Sequence, residues 1–324
     1  MVAISVYSNG NTRKEATKTA EKFLGGRIEN GASPVKNIHG DCKVNLANRR
    51  IALIVVDFQN DFVDGSLKIG DGDAAQDPKR VIPSLNELLK QNWDLVVYTK
   101  DWHPANHISY LSQARNADRE LQEMDRSRSL RVFDTVQFVK PNKLEQMLYP
   151  DHCIQHSWGS DIHADLHLTD NAKYVMKGVD SHLDSYSAFF DNNGHSKTEL
   201  EDLLKGENID AVVVAGLAYD ICVRFTCLDA IKLNFLTAVV PECSAGLTKK
   251  GVEEAEAVFR QKGVAIVSKD TARTQEALQT ERERAVELKG QAEHARGQAM
   301  AWREEAGHLK DMVRNSNGKK RIIM

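Results

Sequence analysis

The chain has 324 residues, of which 41% are hydrophobic and 27% charged, and its formal net charge is −3. These totals are ordinary for a globular protein with a sizeable core, and they exclude the strong electrostatic attraction to nucleic acid or anionic lipid that a basic protein has. No apolar run reaches the roughly 18 residues of a membrane span, and the N-terminus lacks the apolar segment of a secretory signal. We therefore expect neither a nucleic-acid partner nor a membrane partner.

The five cysteines are odd in number and irregular in spacing. They indicate neither a disulfide framework nor a zinc finger, and a reducing compartment follows. We expect a cytoplasmic protein. A basic cluster at Lys319, Lys320 and Arg321 leaves two alternatives, a nuclear signal or a solvated chain end.

Composition divides the chain into three parts. Residues 1–48 are an N-terminal extension to which we assign no function. Residues 49–270 alternate β-branched runs with helical patterns and form the predicted globular domain. Residues 271–324 are rich in Ala, Glu, Arg and Gln and contain almost no β-forming residues.

Six runs rich in Val, Ile and Leu predict the strands of one sheet. Continuous apolar runs are typical of parallel strands that helices cover on both faces. Helical patterns at 81–92, 199–206 and 252–263 lie between them, which favours an α/β fold. We predict an open, mostly parallel six-stranded sheet with helices on both faces. Its strands are expected at 51–57, 95–99, 174–176, 211–215, 237–240 and 264–267.

A long polar stretch, residues 106–172, separates the second predicted strand from the third, and its most charged part is 115–131. Connections of this length in a compact domain are usually functional loops or mobile segments. We interpret the stretch in that way.

The C-terminal part contains a seven-residue repeat. Two rows of apolar residues, offset by three, form the seam of a charged helix that suits a coiled coil. Glycines in this part each weaken an isolated helix by about 1 kcal/mol. Three interpretations stay open: packing on a second copy or partner, docking on the chain's own domain, and a loosely ordered tail. The rows are Leu278, Ala285, Ala292, Ala299, Ala306 and Val313, and Leu288, Ala295, Trp302 and Leu309.

Reactive side chains follow four of the predicted strands. Asp57 follows the first strand, Asp101 and His103 the second, Lys177 the third, and Cys222 comes shortly after the fourth. In an open parallel sheet, ligands bind beyond the carboxyl ends of the strands. The convergence of an acid, a base, metal-binding side chains and a thiol predicts a functional site at this edge.

Cys222 opens a predicted helix, where the helix dipole and unpaired N–H groups stabilise a thiolate and an oxyanion. The alternative is an inert buried cysteine, which Cys227, one turn later, fits better. Asp57 ends an apolar strand, so its carboxylate needs a partner. It is a candidate base for the thiol, with Lys177 as its ionic partner, and the alternative is a structural aspartate.

Asp101 and His103 are two residues apart, so in an extended segment their side chains point the same way. His107 follows in the same segment, and His152 comes from the long insertion. Two or three histidines with one carboxylate suit zinc, iron or manganese. The chain is rich in histidine around the insertion, which weakens this signal on its own.

The runs DFQNDF, TKDWHPANH, YPDHCIQ, KG and GLAYDICV stand in this order between residues 57 and 223. With them the chain resembles the nicotinamidases of the isochorismatase-like cysteine hydrolase superfamily, over about residues 50–268. The resemblance implies a parallel sheet with helices on both faces. It also implies hydrolysis of nicotinamide to nicotinate and ammonia, in NAD salvage, through a cysteine thioester.

By the same resemblance, Asp57 is the proton acceptor, Lys177 its partner and Cys222 the nucleophile. The oxyanion hole would use the backbone N–H groups of Ala218 and Cys222, and the peptide bond between Leu217 and Ala218 would be cis.

The resemblance also implies a divalent metal that binds the pyridine nitrogen, with zinc expected first and iron or manganese as alternatives. Its ligands would be Asp101, His103 and His152, and His107 matches a histidine that is a ligand in some members. Phe62 matches an aromatic residue that contacts the ring. Tyr149 stands beside the ring, where many relatives have tryptophan.

Two rival hypotheses come from the same residues. The chain could be another hydrolase of the superfamily, acting on isochorismate or on a small amide or carbamoyl compound, although such relatives generally lack the metal cluster. Alternatively, it could be an interaction protein that uses its C-terminal helix. A combined interpretation is an active hydrolase that forms a homo-oligomer through residues 271–324.

Overall fold

The structure, a computed structural model, describes residues 49–270 and the isolated positions Gly290, Gln291 and His294, which are helical. The predicted N-terminal extension and, apart from those three positions, the predicted helix of residues 271–324 lie outside the described residues. The coiled-coil, docking and oligomer interpretations therefore stay predictions. Within the described part of the chain, no helix is long and apolar enough to cross a membrane.

A six-stranded parallel sheet forms the centre of the domain. Its strands are β1 (Ile51–Val56), β2 (Leu95–Asp101), β6 (Lys173–Lys177), β7 (Ala211–Leu217), β8 (Leu236–Ala245) and β9 (Ala265–Ile266). Their order is β6-β2-β1-β7-β8-β9, and all neighbouring pairs are parallel. Every residue of β1, β2 and β7 is buried. The predicted α/β fold and all six predicted strands are confirmed.

Residues 49–270 also form six α-helices. They are α1 (Asn60–Val63), α2 (Pro78–Leu89), α3 (Glu123–Ser127), α4 (Leu200–Gly206), α5 (Arg224–Lys232) and α6 (Lys249–Lys262). The three helical patterns of the sequence correspond to α2, α4 and α6. Asp77 caps α2 by accepting a hydrogen bond from the Lys79 N–H, and Gly263 ends α6 with φ +83°. Alternate residues of β1, such as Ile54, share a core with α4, α5 and α6, and α2 packs against β8.

The long insertion contains a second sheet, which the interpretation as a loop or mobile segment missed. Strands β3 (Glu120–Leu121), β4 (Thr135–Lys140) and β5 (Leu144–Met147) pair antiparallel in that order. Val136 and Phe138 of β4 are fully buried in a separate apolar cluster. The insertion is therefore a folded unit with its own small core.

Candidate active site

The predicted catalytic side chains meet around Lys177, the last residue of β6. Its Nζ lies 2.8 Å from Asp57 Oδ2 and 3.5 Å from Cys222 Sγ, and it donates to Asp101 Oδ1. The Ser185 carbonyl accepts a further hydrogen bond at 3.0 Å. Burial alone lowers the pKa of Lys177, but the two carboxylates raise it well above its ordinary value, so the side chain is an ammonium ion. The sequence predicted the pair with Asp57 but not the second carboxylate.

Asp57 follows β1 in a left-handed backbone conformation, with φ +46°. Such a conformation is sparsely populated by residues other than glycine and occurs often at functional sites. The Thr99 hydroxyl donates to Asp57 Oδ1 at 2.6 Å, and the Asp57 N–H donates to the Thr99 carbonyl at 3.2 Å. Burial raises the pKa of Asp57 to about 6, although Lys177 opposes the shift. A carboxylate with this pKa is suited to accept a proton near neutral pH.

Cys222 lies in a π-helical turn, Tyr219–Val223, which leads directly into α5. The prediction that Cys222 opens a helix is thus correct in position, although the first turn is wider than an α-helix. The peptide bond between Leu217 and Ala218 is cis, as the resemblance implies. Burial raises the pKa of Cys222 well above its ordinary value, while the Lys177 ammonium lowers it. The resting thiol is therefore protonated and requires a base, and a carboxylate oxygen of Asp57 lies within 4.8 Å of its sulfur.

Asp101, His103 and His152 are buried, and their ligand atoms lie within 4.8 Å of one another. His103 Nδ1 lies 2.7 Å from the Gly178 carbonyl, and His152 Nδ1 lies 2.8 Å from the Pro150 carbonyl. A carbonyl only accepts, so each Nδ1 carries a proton, and in the neutral ring each Nε2 is the nitrogen that can bind a metal. These Nε2 atoms lie 3.6 and 4.0 Å from Asp101 Oδ2. The donor set fits a divalent transition metal.

Gly178 explains part of the KG motif. It has φ +62°, and a Cβ at this position would lie 2.2 Å from Cε1 of the His103 ring. Only glycine therefore allows its carbonyl to approach His103 so closely.

His107 is arranged differently from the other two histidines. Its ring stacks on that of His103, with centroids 3.9 Å apart and planes inclined by 17°. Its ring nitrogen groups with those of His103 and the carboxylate of Asp184, whereas Asp101 and His152 form a separate group with His103. The Ser109 N–H also points at His107 Nδ1, at 3.4 Å, which places the proton of a neutral ring on Nε2. This buried Nε2 has no hydrogen-bond partner.

A small cleft opens onto these groups. Six residues that the resemblance singled out lie in its wall: Phe62, Asp101, Tyr149, His152, Ala218 and Cys222. Two members of the metal-type cluster and the thiol therefore border one cavity. The sequence did not identify the rest of the lining, which is Leu67, Ile69, Asp184, Tyr186, Ile221 and Leu247.

Gln59 is a further residue that the sequence did not assign. Its fully buried side chain donates to the Asp101 carbonyl at 2.8 Å and accepts from the Asp101 N–H at 2.8 Å. It also donates to the Ser160 carbonyl at 3.0 Å. These bonds hold Asp101 at the end of β2. The sequence did contain a signal for this role, because Gln59, in the run DFQNDF, is a polar residue just after a buried strand.

Comparison with known proteins agrees with this geometry. The nicotinamidase of Escherichia coli is 36% identical over 210 residues, which are 64% of this chain and 88% of that protein. A nicotinamidase/pyrazinamidase structure of Acinetobacter baumanii has a TM-score of 0.59 and 33% identity, and covers 69% of this chain and 98% of that one. The pyrazinamidase of Pyrococcus horikoshii, in complex with zinc, has a TM-score of 0.51 and 26% identity, and covers 68% of this chain and 99% of that one.

The family model of the Isochorismatase domain matches residues 51–271. This match takes in the whole parallel sheet, the insertion and all of the side chains around Lys177. The chain belongs to the isochorismatase family of hydrolases.

Proposed function

We propose that the protein hydrolyses nicotinamide to nicotinate and ammonia, with Cys222 as the nucleophile, and so serves NAD salvage. The observation that carries the proposal is the cleft itself. It places a buried thiol, beside the Asp57–Lys177 ion pair, next to a two-histidine, one-carboxylate set. The names of the similar proteins support the choice of substrate.

Asp101, His103 and His152 would hold the metal. Zinc is the first choice because the similar Pyrococcus horikoshii protein is described with zinc, and iron or manganese suits the same donors. When bound, the ion would coordinate the pyridine nitrogen and polarise water. Phe62 and Tyr149 both lie in the cleft wall. They would contact the pyridine ring and place the carboxamide beside Cys222.

The first half of the reaction forms a thioester. Asp57 takes the proton of the Cys222 thiol as the sulfur attacks the carboxamide carbon, and the Lys177 ammonium stabilises the charges that result. Backbone N–H groups of Ala218 and Cys222 hold the oxyanion of the tetrahedral intermediate. The carbon–nitrogen bond then breaks, and the leaving nitrogen takes the proton from Asp57 to depart as ammonia.

The second half releases the acid. Water attacks the thioester carbon while Asp57 takes one of its protons. The carbon–sulfur bond breaks, and the sulfur recovers the proton from Asp57. The cycle needs no oxidant or second substrate, and Asp57 changes its protonation state twice in each half. Its pKa of about 6 suits both directions of transfer.

Ammonia release from nicotinamide by the purified full-length protein tests the proposal. The assay compares metal-loaded and chelator-treated protein with the Cys222→Ala variant and with Cys227→Ala, which removes a fully buried thiol from α5. We expect activity to disappear in Cys222→Ala, to persist in Cys227→Ala and to fall after chelation. No release by metal-loaded wild-type protein would point to another small amide or carbamoyl substrate of the family. Near-normal release by Cys222→Ala would exclude the proposed nucleophile.

A further inference from the structure

Asp184 is an acidic residue in the cleft wall that the proposed mechanism does not use. Its side chain is buried, with 4% of the residue exposed. One carboxylate oxygen lies within 4.8 Å of a ring nitrogen of His103 and of one of His107. A second carboxylate thus stands at the metal-type cluster, in addition to Asp101.

The insertion sheet holds Asp184 in place. Gln146 of β5, which is 2% exposed, donates from Nε2 to Asp184 Oδ2 at 2.9 Å. The Ser185 N–H donates to Asp184 Oδ1 at 2.8 Å. These two hydrogen bonds fix the position and orientation of the carboxylate. Through Gln146, the insertion therefore reaches into the active site and holds the Asp184 side chain there.

The charge of the cleft depends on this residue. Asp57 and Asp101 contribute two negative charges and Lys177 one positive charge, and a divalent ion adds two positive charges. Without a further group the loaded site has one net positive charge, which Asp184 cancels. Because charges that lie in a partly buried site interact more strongly than in water, this balance affects any charged ligand.

The proposed reaction turns a neutral amide into a carboxylate anion, so substrate and product differ by one charge. A site with a net positive charge would hold the anionic product more tightly than the amide. We propose that Asp184 determines the charge preference of the cleft: it disfavours carboxylate ligands, speeds departure of the acid product and selects neutral carboxamides. This inference rests on the proposed function.

Equilibrium binding of nicotinate and of nicotinamide tests the inference in a Cys222→Ala background, which prevents turnover. Dissociation constants are measured for zinc-loaded Cys222→Ala and Cys222→Ala/Asp184→Asn, with bound zinc determined in each sample. We expect Asp184→Asn to tighten nicotinate binding about tenfold, and to change nicotinamide binding by less than about twofold, because only the anion interacts with the lost charge.

Asp191→Asn is the matched control. Asp191 is also buried, accepts from the Asn193 N–H at 2.7 Å and lines a neighbouring groove, outside the cleft wall. Both dissociation constants should stay unchanged in this variant. Asp184→Glu keeps the charge. The ratio of the nicotinate and nicotinamide dissociation constants in this variant should equal the ratio measured for Cys222→Ala alone. If Asp184→Asn does not fold, Asp184→Ser removes the same charge.

The outcomes separate the inference from the function on which it rests. If nicotinamide binds and neutralisation of Asp184 shifts both ligands equally, or shifts neither, the charge role of Asp184 is excluded. If Cys222→Ala binds no nicotinamide and the wild-type protein releases no ammonia, the proposed function itself fails.

Discussion

Replacement of Lys177 by methionine should destabilise the protein strongly. Lys177 is 1% exposed, and its two carboxylate partners, Asp57 and Asp101, are 0% and 5% exposed. The variant keeps a similar volume but leaves both carboxylates without their ammonium ion. Breaking a buried ion pair by removal of one partner costs about 3–5 kcal/mol. For a domain of this size the loss corresponds to a Tm lower by roughly 6–20 °C.

Urea and thermal unfolding of metal-free protein at pH 8 measure this loss. Lys232→Met is the matched control, because the Lys232 side chain is 73% exposed in its pair with Asp229 and should contribute at most about 0.5 kcal/mol. Lys177→Met/Asp57→Asn should recover part of the stability, since one of the two uncompensated charges is gone. The reasoning is refuted if Lys177→Met unfolds within about 1 kcal/mol of the wild-type protein, or if the second substitution restores nothing.

Three further predictions concern pH, metal and a structural carboxylate. Asp57 acts as a base only when ionised, and burial raises its pKa to about 6. The ratio kcat/KM should therefore fall about tenfold per pH unit below pH 6 and level off above it. A pH profile that stays flat down to pH 4 excludes Asp57 as the base. Zinc affinity is measured by competition with a chromophoric chelator. His103→Ala should weaken zinc binding more than about 100-fold, whereas His107→Phe, which keeps the ring stack, should weaken it less than about tenfold. Equal losses of zinc affinity in the two variants would make His107 a ligand. Asp220→Ala removes the acceptor of the Leu247 and Thr248 N–H groups. It should lower the free energy of unfolding, measured in urea, by roughly 2–4 kcal/mol and leave the zinc affinity unchanged. A decrease below about 0.5 kcal/mol would contradict this structural role.

The parallel sheet was predictable because three of its strands, β1, β2 and β7, are buried on both faces. Continuous runs such as residues 51–56 leave no polar position that would mask the strand. In the insertion sheet the signal is weaker. β5 alternates buried Leu144, exposed Glu145 and buried Gln146, so a polar residue occupies a buried position and hides the alternation. The bond from Gln146 to Asp184 explains why that position is polar.

The active-site edge was predictable from strand ends, but its contacts were not. Strand order cannot be read from the sequence, and Asp101 meets Lys177 only because β2 and β6 are neighbours in a register that pairs these two residues. The sequence therefore assigned Asp101 to the metal and Asp57 to Lys177, whereas in the structure Lys177 contacts both carboxylates. Asp184 and Tyr186 reach the cleft from a loop without any sequence pattern, so only the fold identifies them.

The shared lysine also connects metal binding to folding. Among the described residues at the site, three carboxylates, those of Asp57, Asp101 and Asp184, lie near the ammonium of Lys177. A divalent ion that binds only the folded state should therefore stabilise it, by about 4 kcal/mol at a thousandfold excess over Kd. The ion and the ammonium are not equivalent, however. Asp101 belongs to the metal-type cluster with His103 and His152, whereas Asp57 accepts from Thr99 and depends on Lys177 for its positive partner. Zinc should therefore restore part of the stability lost in Lys177→Met but not all of it, and the remainder is the cost of leaving Asp57 buried without a counter-charge.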